Sequence, residues 1–408
     1  MMKLTTLPNG LRVASRAMPG FETVAVGLYA EAGSRHEPAA LNGIAHLYEH
    51  MVFKGAGGRT AREISEAIED VGGDLNAATD REGTSFSATL LAEHLPLGIE
   101  LLSDMILHPH FAADDLAREK EVVLQELGEA RDTPSDIIFD ELWTAAYPDQ
   151  PLGRSVLGDE GSIAAITVDD LHGWRTSQYR AGSVTLVAAG KVDHERLVEL
   201  AAVRFGALPA GLIDHAEAAH FGGGVRASRA RADQAHLTAA FAAPCHPHPD
   251  YYASRLFADV VGSGASCRLF QAVREERGLA YSVWASLTPY RDSGIFYAYA
   301  ATSRRQAAAA SDLILDVLAR AASDLSEREL ERAKAQAKAG LLLSLESSWG
   351  QANYVARTLS TYGDLREPSE TVAEIDAVTL DQVRAAGARM LAGPKARATI
   401  GVPAVRAA

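Results

Sequence analysis

The sequence predicts an α+β chain of two homologous domains, each a mainly antiparallel sheet packed with helices, joined by a linker. Three observations carry that expectation. A length of 408 residues suits two or three domains, and 47% apolar content is ample for packed cores. A helix-then-strand unit is written twice. Thr167-Val168-Asp169-Asp170-Leu171 precedes Ser183-Val184-Thr185-Leu186-Val187, and about 212 residues later Thr379-Leu380-Asp381-Gln382-Val383 precedes Ala398-Thr399-Ile400-Gly401-Val402. Between the copies, Pro209, Gly211 and Gly222-Gly223-Gly224 break both helix and strand patterns over 208–224. That places a linker at 211–224, between an N-terminal domain at 1–210 and a C-terminal domain at 225–408.

Taken in order, the N-terminus reads as a strand running into the Asn9-Gly10 turn, without the apolar core of an export signal. Leu75–Thr79 and Thr84–Ala88 flank the turn Asp80-Arg81-Glu82-Gly83 as a hairpin. Leu95, Ile99, Leu102 and Ile106 mark an amphipathic helix, which Ala308, Leu313, Leu315 and Leu318 echo at the repeat offset. Leu116, Val123 and Leu127 mark one side of another helix, and Ser135 is expected to cap the next, putting Asp136 and Asp140 on one face. Both copies of the repeated helix start with Thr and an acid or amide three residues on, a capping-box pattern.

The chemistry concentrates in Gly43-Ile44-Ala45-His46-Leu47-Tyr48-Glu49-His50-Met51-Val52-Phe53-Lys54-Gly55. On a helix, His46 and His50 stand one turn apart on the same face and can grip one cation. Glu49 shares that face without having to be a ligand, which leaves it free to take a proton from water. A catalytic zinc usually takes a third protein ligand. Glu119 and Glu126 on the downstream helix are both candidates, nearly superposed in angle and about 10 Å apart along the axis. Spacing alone does not choose between them.

Composition narrows the function class. A formal charge of −14 argues against nucleic acid as a partner and suits cationic peptides. Only Cys245 and Cys267 occur, so no disulfide framework is implied. No apolar run is long enough for a membrane span, and the expected location is cytoplasmic. Cys245-His246-Pro247-His248 offers soft ligands but reads as a loop, and His108 and His110 sit in a Pro-containing turn after a helix. The repeat position matching His46 is Ala258-Asp259-Val260-Val261-Gly262, so only the first domain can hold the metal.

With H-x-x-E-H followed 76 residues beyond its second histidine by Glu126, the chain resembles the pitrilysin/insulinase family of zinc peptidases, the inverzincins, and in particular their short, two-domain, processing-peptidase-like members. Gly33-Ser34-Arg35, Phe53-Lys54-Gly55, Leu75-Asn76-Ala77, Arg268-Leu269-Phe270 and the stretch from Arg274 through Val283 match in the same order. The resemblance runs from about Leu7 to beyond Leu391. One departure falls in the glycine-rich loop after Gly262, where Ser263 and Cys267 stand at positions the family often gives to Gly and Ser.

The resemblance implies Zn²⁺ held by His46, His50 and Glu126, with Glu49 activating water and Glu119 supporting the ligands or assisting in the transition state. It implies that the strand carrying Asn76 and Ala77 receives a short unfolded peptide by backbone pairing. Arg274 and Tyr281 would address the substrate and its oxyanion, and in a two-domain chain they would come from a second subunit, hence a homodimer with composite sites. Asp136 and Asp140 would receive an arginine near the scissile bond. The alternative within the same resemblance is a non-catalytic or partner-dependent subunit, although every zinc-site position and the Arg274/Tyr281 pair are retained.

Overall fold

The computed structural model describes residues 1–214, 216–228 and 232–402. Residue 215 of the expected linker, and 229–231 and 403–408 of the expected C-terminal domain, lie outside the described residues. Two compact units result. The first comprises Met1–Leu127, Ser155–Glu217 and Leu342–Glu367, the second Gly128–Arg154, Ala218–Leu341 and Pro368–Ala408.

In the first unit, β1 (Met2–Thr6), β2 (Arg12–Ala17), β3 (Thr23–Ala30), a small hairpin of β4 (Gly55–Ala56) and β5 (Arg59–Thr60), β6 (Asp74–Thr79), β7 (Thr84–Leu91) and β8 (Val184–Gly190) follow one another. Six of them form one sheet in the order β1-β2-β8-β3-β7-β6, antiparallel except for the β2/β8 pair. The second unit contains β9 (Gly224–Ser228), β10 (Ala235–Ala242), β11 (Ala280–Pro289), β12 (Gly294–Thr302) and β13 (Lys395–Ile400). They run β11-β12-β10-β13-β9, again antiparallel except for one pair, β13/β9. Strand for strand this is the first sheet without β1, in mirror-read order. The duplicated α+β architecture is therefore explicit in the topology.

Helices between matching strands also correspond. We label α1 (Ile44–Val52), α2 (Ala61–Glu69), α3 (Leu95–Leu107), α4 (Ala113–Asp132) and α5 (Pro134–Ala146). Tyr251–Gly262 lies between β10 and β11 as α1 lies between β3 and β6. Ala307–Asp324 answers α3, but its buried stripe is Ala310, Ile314, Val317, Leu318 and Ala321. Of the four positions expected from sequence only Leu318 is fully buried, while Ala308 is exposed, because the helix is rotated from the assumed phase. Thr167 and Thr379 do close capping boxes with Asp170 and Gln382. Ser135 does not cap α5. Pro134 occupies its first turn, where the missing N–H costs nothing, so the helix begins earlier and Thr133 takes the N-cap position.

The units interleave along the chain. Helix α5, with Ile138, Leu142, Trp143, Ala145 and Ala146 buried, packs with Ala240, Ala396, Ala398 and Ile400 of the second sheet. The helix Ser348–Tyr362 instead buries Ala352, Val355, Ala356 and Leu359 against Ala14, Ala25, Val187 and Ala189 of the first. Small residues on those strands let each helix seat closely on a sheet face.

Candidate active site

Helix α1 is placed from its N-terminus. Glu37, buried, accepts from the backbone N–H of Gly43 and Ala45 at 2.8 and 2.9 Å and from Asn42 Nδ2 at 2.7 Å. A carboxylate there satisfies orphan amides and favours the positive end of the helix dipole. Gly43 enters with φ 94°, and a Cβ would strike Ile163 and the Leu157 carbonyl. Ile44, Ala45, Leu47, Tyr48, Met51 and Val52 are then buried, the larger ones contributing about 1.5–3 kcal/mol each. The positions left over are His46, Glu49 and His50, which is why all three share the outward face.

Helix α4 is anchored by Leu116, Val123 and Leu127, with Glu119 buried on the same side. Its two glutamates meet the histidines differently. Glu126 Oε2 lies 3.8 Å from His46 Nε2 and 3.7 Å from His50 Nε2, too far to hydrogen-bond either. Glu119 Oε2 lies 3.2 Å from His50 Nδ1, and Lys54 Nζ holds its other oxygen at 2.8 Å. An N–H at Nδ1 turned to Glu119 leaves the Nε2 lone pair of His50 facing Glu126.

These residues fit a cation. His46, His50 and Glu126 form a metal-capable cluster among the described residues. At zinc bond lengths of about 2.0–2.2 Å and tetrahedral angles, two ligands of one ion stand roughly 3.3–3.5 Å apart, so the separations of 3.8 and 3.7 Å would close by a few tenths of an ångström around it. Burial, and secondarily the charge of His50, lowers the His46 pKa to about 4, so its imidazole is neutral and able to ligate. Among the described residues its buried Nδ1 has no hydrogen-bond partner that would fix its tautomer. Two imidazoles and a carboxylate are the donor set of a catalytic rather than a closed structural zinc site.

Glu49 is not part of that cluster. Burial raises its pKa, opposed by a hydrogen bond from Thr79, whose hydroxyl donates to Oε2 at 2.5 Å. Thr79 ends β6, the outer strand of the sheet. Asn76 and Ala77 lie on the same strand, and Asn76 Oδ1 accepts from the Ala77 N–H at 2.8 Å. The structure brings together His46, His50, Glu119 and Glu126 with Glu49 on the same helix face, while Asn76 and Ala77 lie in the same unit on β6.

The other expected residues belong to the second unit. Arg274 sits in a π-helical turn, Phe270–Glu275, and donates to the Tyr281 carbonyl at 2.8 Å. Its guanidinium lies 4.6 Å over the Tyr281 ring and 4.7 Å over Phe270. Tyr281 is 75% exposed, a large ring presented to solvent beside a cation. Asp136 is exposed on α5, and its charge reaches Tyr299, whose pKa is raised by burial first and by Asp136 second. Asp140 follows one turn on, its backbone carbonyl accepting from Thr144.

Thr79, Lys54 and Glu37 were not singled out individually in the sequence. Lys54 stood inside a matching block, but nothing in its spacing announced the contact with Glu119.

A His-His-Glu cluster able to hold a metal ion, with the half-buried Glu49 on the same helix face, lies on the first of two repeated α+β units. The chain belongs to the insulinase family, peptidase family M16. The model of that family matches residues 12–160, and that of the peptidase M16 inactive domain matches 165–337. An uncharacterized zinc protease of Mycobacterium leprae is 35% identical over 95% of this chain and 88% of its own. One from Bacillus subtilis is 34% identical over 94% of each chain. Among solved structures, a peptidase M16 inactive domain from Pseudomonas fluorescens superposes with a TM-score of 0.92 at 23% identity, over 100% of this chain and 99% of that one. A protease from Helicobacter pylori gives 0.89 at 20%, over 98% and 99%. At those identities the structural likeness speaks for the fold.

Proposed function

We propose that this chain is a zinc-dependent endopeptidase of short, unfolded peptides, with Glu49 as general base. The observation that carries the reading is the convergence of His46 Nε2, His50 Nε2 and Glu126 Oε2, with the Glu49 carboxylate on the same helix face. Zinc, when bound, supplies Lewis acidity to the attacking water and the scissile carbonyl. Glu49 takes the proton of that water and passes it to the leaving amine, a role that suits a carboxyl raised by burial. Glu119, gripped by Lys54, keeps the His50 ring oriented. Among the described strands β6 pairs only with β7, so its outer edge can receive an extended peptide, with Asn76 and Ala77 on that strand and the Ala77 N–H now held by Asn76 Oδ1.

Arg274 and Tyr281, supplied by a second copy of the chain, anchor the peptide and its oxyanion; their mutual stacking and exposure support this role. Asp136 and Asp140 favour basic residues in the substrate. The membership in a peptidase family and the naming of relatives as zinc proteases support the whole reading.

The test is cleavage of two quenched fluorescent peptides, one with arginine and one neutral, by wild type and Glu49→Gln, with zinc quantified in both. Wild type should cleave, the arginine peptide faster. Glu49→Gln should keep about one zinc per chain and lose at least ~10²-fold in rate. Full turnover by Glu49→Gln would defeat the mechanism.

A further inference from the structure

The strand expected to receive the peptide also holds the base. The Thr79 hydroxyl donates to Glu49 Oε2 at 2.5 Å. The backbone N–H of Thr79 also addresses that carboxylate, with a smaller effect than the hydroxyl. A terminal carboxylate torsion is broad and soft, so without these donors nothing on the helix sets its angle. Threonine is stiff at χ1, which makes its hydroxyl a well-aimed donor.

Thr79 is itself held firmly. It pairs across the hairpin with Thr84, their hydroxyl oxygens 3.4 Å apart, and the Thr84 hydroxyl is committed to the Ala32 carbonyl at 2.8 Å. The turn that follows is clamped from outside. Ser34 N–H donates to the Asp80 carbonyl at 3.1 Å and Arg35 N–H to the Arg81 carbonyl at 2.9 Å, while the Arg35 guanidinium pairs with Glu82. Within the turn, Asp80 Oδ1 accepts from the N–H of Glu82 and Gly83 at 2.6 and 2.8 Å. A Cβ at Gly33 would fall 2.5 Å from the Asp80 carbonyl, so this approach requires glycine. Gly33-Ser34-Arg35 thus serves as the brace of the β6–β7 turn, and β6 ends at a fixed point against α1.

We propose that Thr79 is the positioning residue of Glu49, so that β6 links the seating of an extended peptide to the aim of the general base. The inference rests on the reading of Glu49 and β6 given above. A peptide paired along β6 and a carboxylate fixed from the end of β6 share one frame, and misplacement of reacting groups by about 1 Å can cost on the order of 10²-fold.

Thr79→Val keeps the shape and the backbone N–H and removes the hydroxyl donor, and Thr79→Ser keeps that donor. With the full-length, zinc-loaded chain, Thr79→Val should lower kcat about 10–100-fold while KM, zinc content and melting temperature stay near wild type; Thr79→Ser should recover most of kcat. Crystal structures should show the Glu49 carboxylate turned away in Thr79→Val and in place in Thr79→Ser, with His46, His50 and Glu126 unmoved. Undiminished kcat in Thr79→Val, a change confined to KM, or no recovery with serine would overturn the proposal. Absence of cleavage by zinc-loaded wild type would instead overturn the endopeptidase reading, and the crystal comparison would still decide whether Thr79 sets the Glu49 carboxylate.

Discussion

Glu119 and Glu126 stand two turns apart on one helix and differ in surroundings more than in kind. Glu119 is 9% exposed between Lys54 and His50, whereas Glu126 is 39% exposed and faces both Nε2 atoms. A buried carboxylate with an ammonium on one oxygen and an imidazole on the other is spoken for, so it orients a ligand better than it serves as one. Glu119→Gln should weaken zinc binding about 10–100-fold, and Glu126→Gln should abolish stoichiometric binding, as read by chelator competition. In the sequence, helical spacing relates the two carboxylates only to each other, and the family resemblance points to Glu126 as the ligand. The donors around them stayed hidden. Lys54 and Thr79 reach the site from a loop after α1 and from a strand end, and such approaches have no period to read.

At the scale of elements, two of the matched blocks outside the metal face, Gly33-Ser34-Arg35 and Arg268-Leu269-Phe270, act as braces. Arg268, from Arg268-Leu269-Phe270, donates to both carboxylate oxygens of Glu329, at 2.6 and 2.8 Å, and also pairs with Asp324. It ties the segment before the Arg274 turn to the helix Glu327–Ser344. The hydrogen bond from Arg268 lowers the Glu329 pKa from 4.5 to about 2, with the Ser326 N–H and hydroxyl helping against burial. A depressed folded-state pKa stabilises above the unfolded value, so this contribution is present above pH 4.5 and is lost as pH falls towards 2. Glu329→Gln should therefore lower stability on the order of 1 kcal/mol at neutral pH after solvent screening. Melting curves from pH 7 to pH 2 should show the gap to wild type closing in that acid window. Hairpins and capping boxes were legible because turn and cap chemistry is local. The start of α5 is set by Pro134 and Thr133 rather than by Ser135, and the buried stripe of Ala307–Asp324 differs from the expected one because alanine-rich helices carry a weak apolar signal.

At the scale of the molecule, one of the two repeated units carries the metal-capable His46, His50 and Glu126 and the other carries Arg274 and Tyr281. If a second copy completes each site, Glu49→Gln and Arg274→Ala are each inactive but complementary. Mixing them under exchange should restore about a quarter of wild-type sites, since half the dimers are mixed and each has one intact pair. No recovery in demonstrably mixed dimers would reject composite sites. From the sequence alone came the α+β class, the twofold repeat and the metal face, because periodicity, capping and helical spacing are short-range properties of the chain. Tertiary structure alone decided which sheet each amphipathic helix covers, and so the exchange of α5 for Ser348–Tyr362 between the units. An apolar stripe states that a helix must be buried, but not against what; that choice belongs to the shapes of the two sheet faces. Tertiary structure alone also set the hydrogen bond from Thr79 to Glu49, a contact between residues on different elements whose meeting depends on the hairpin brace.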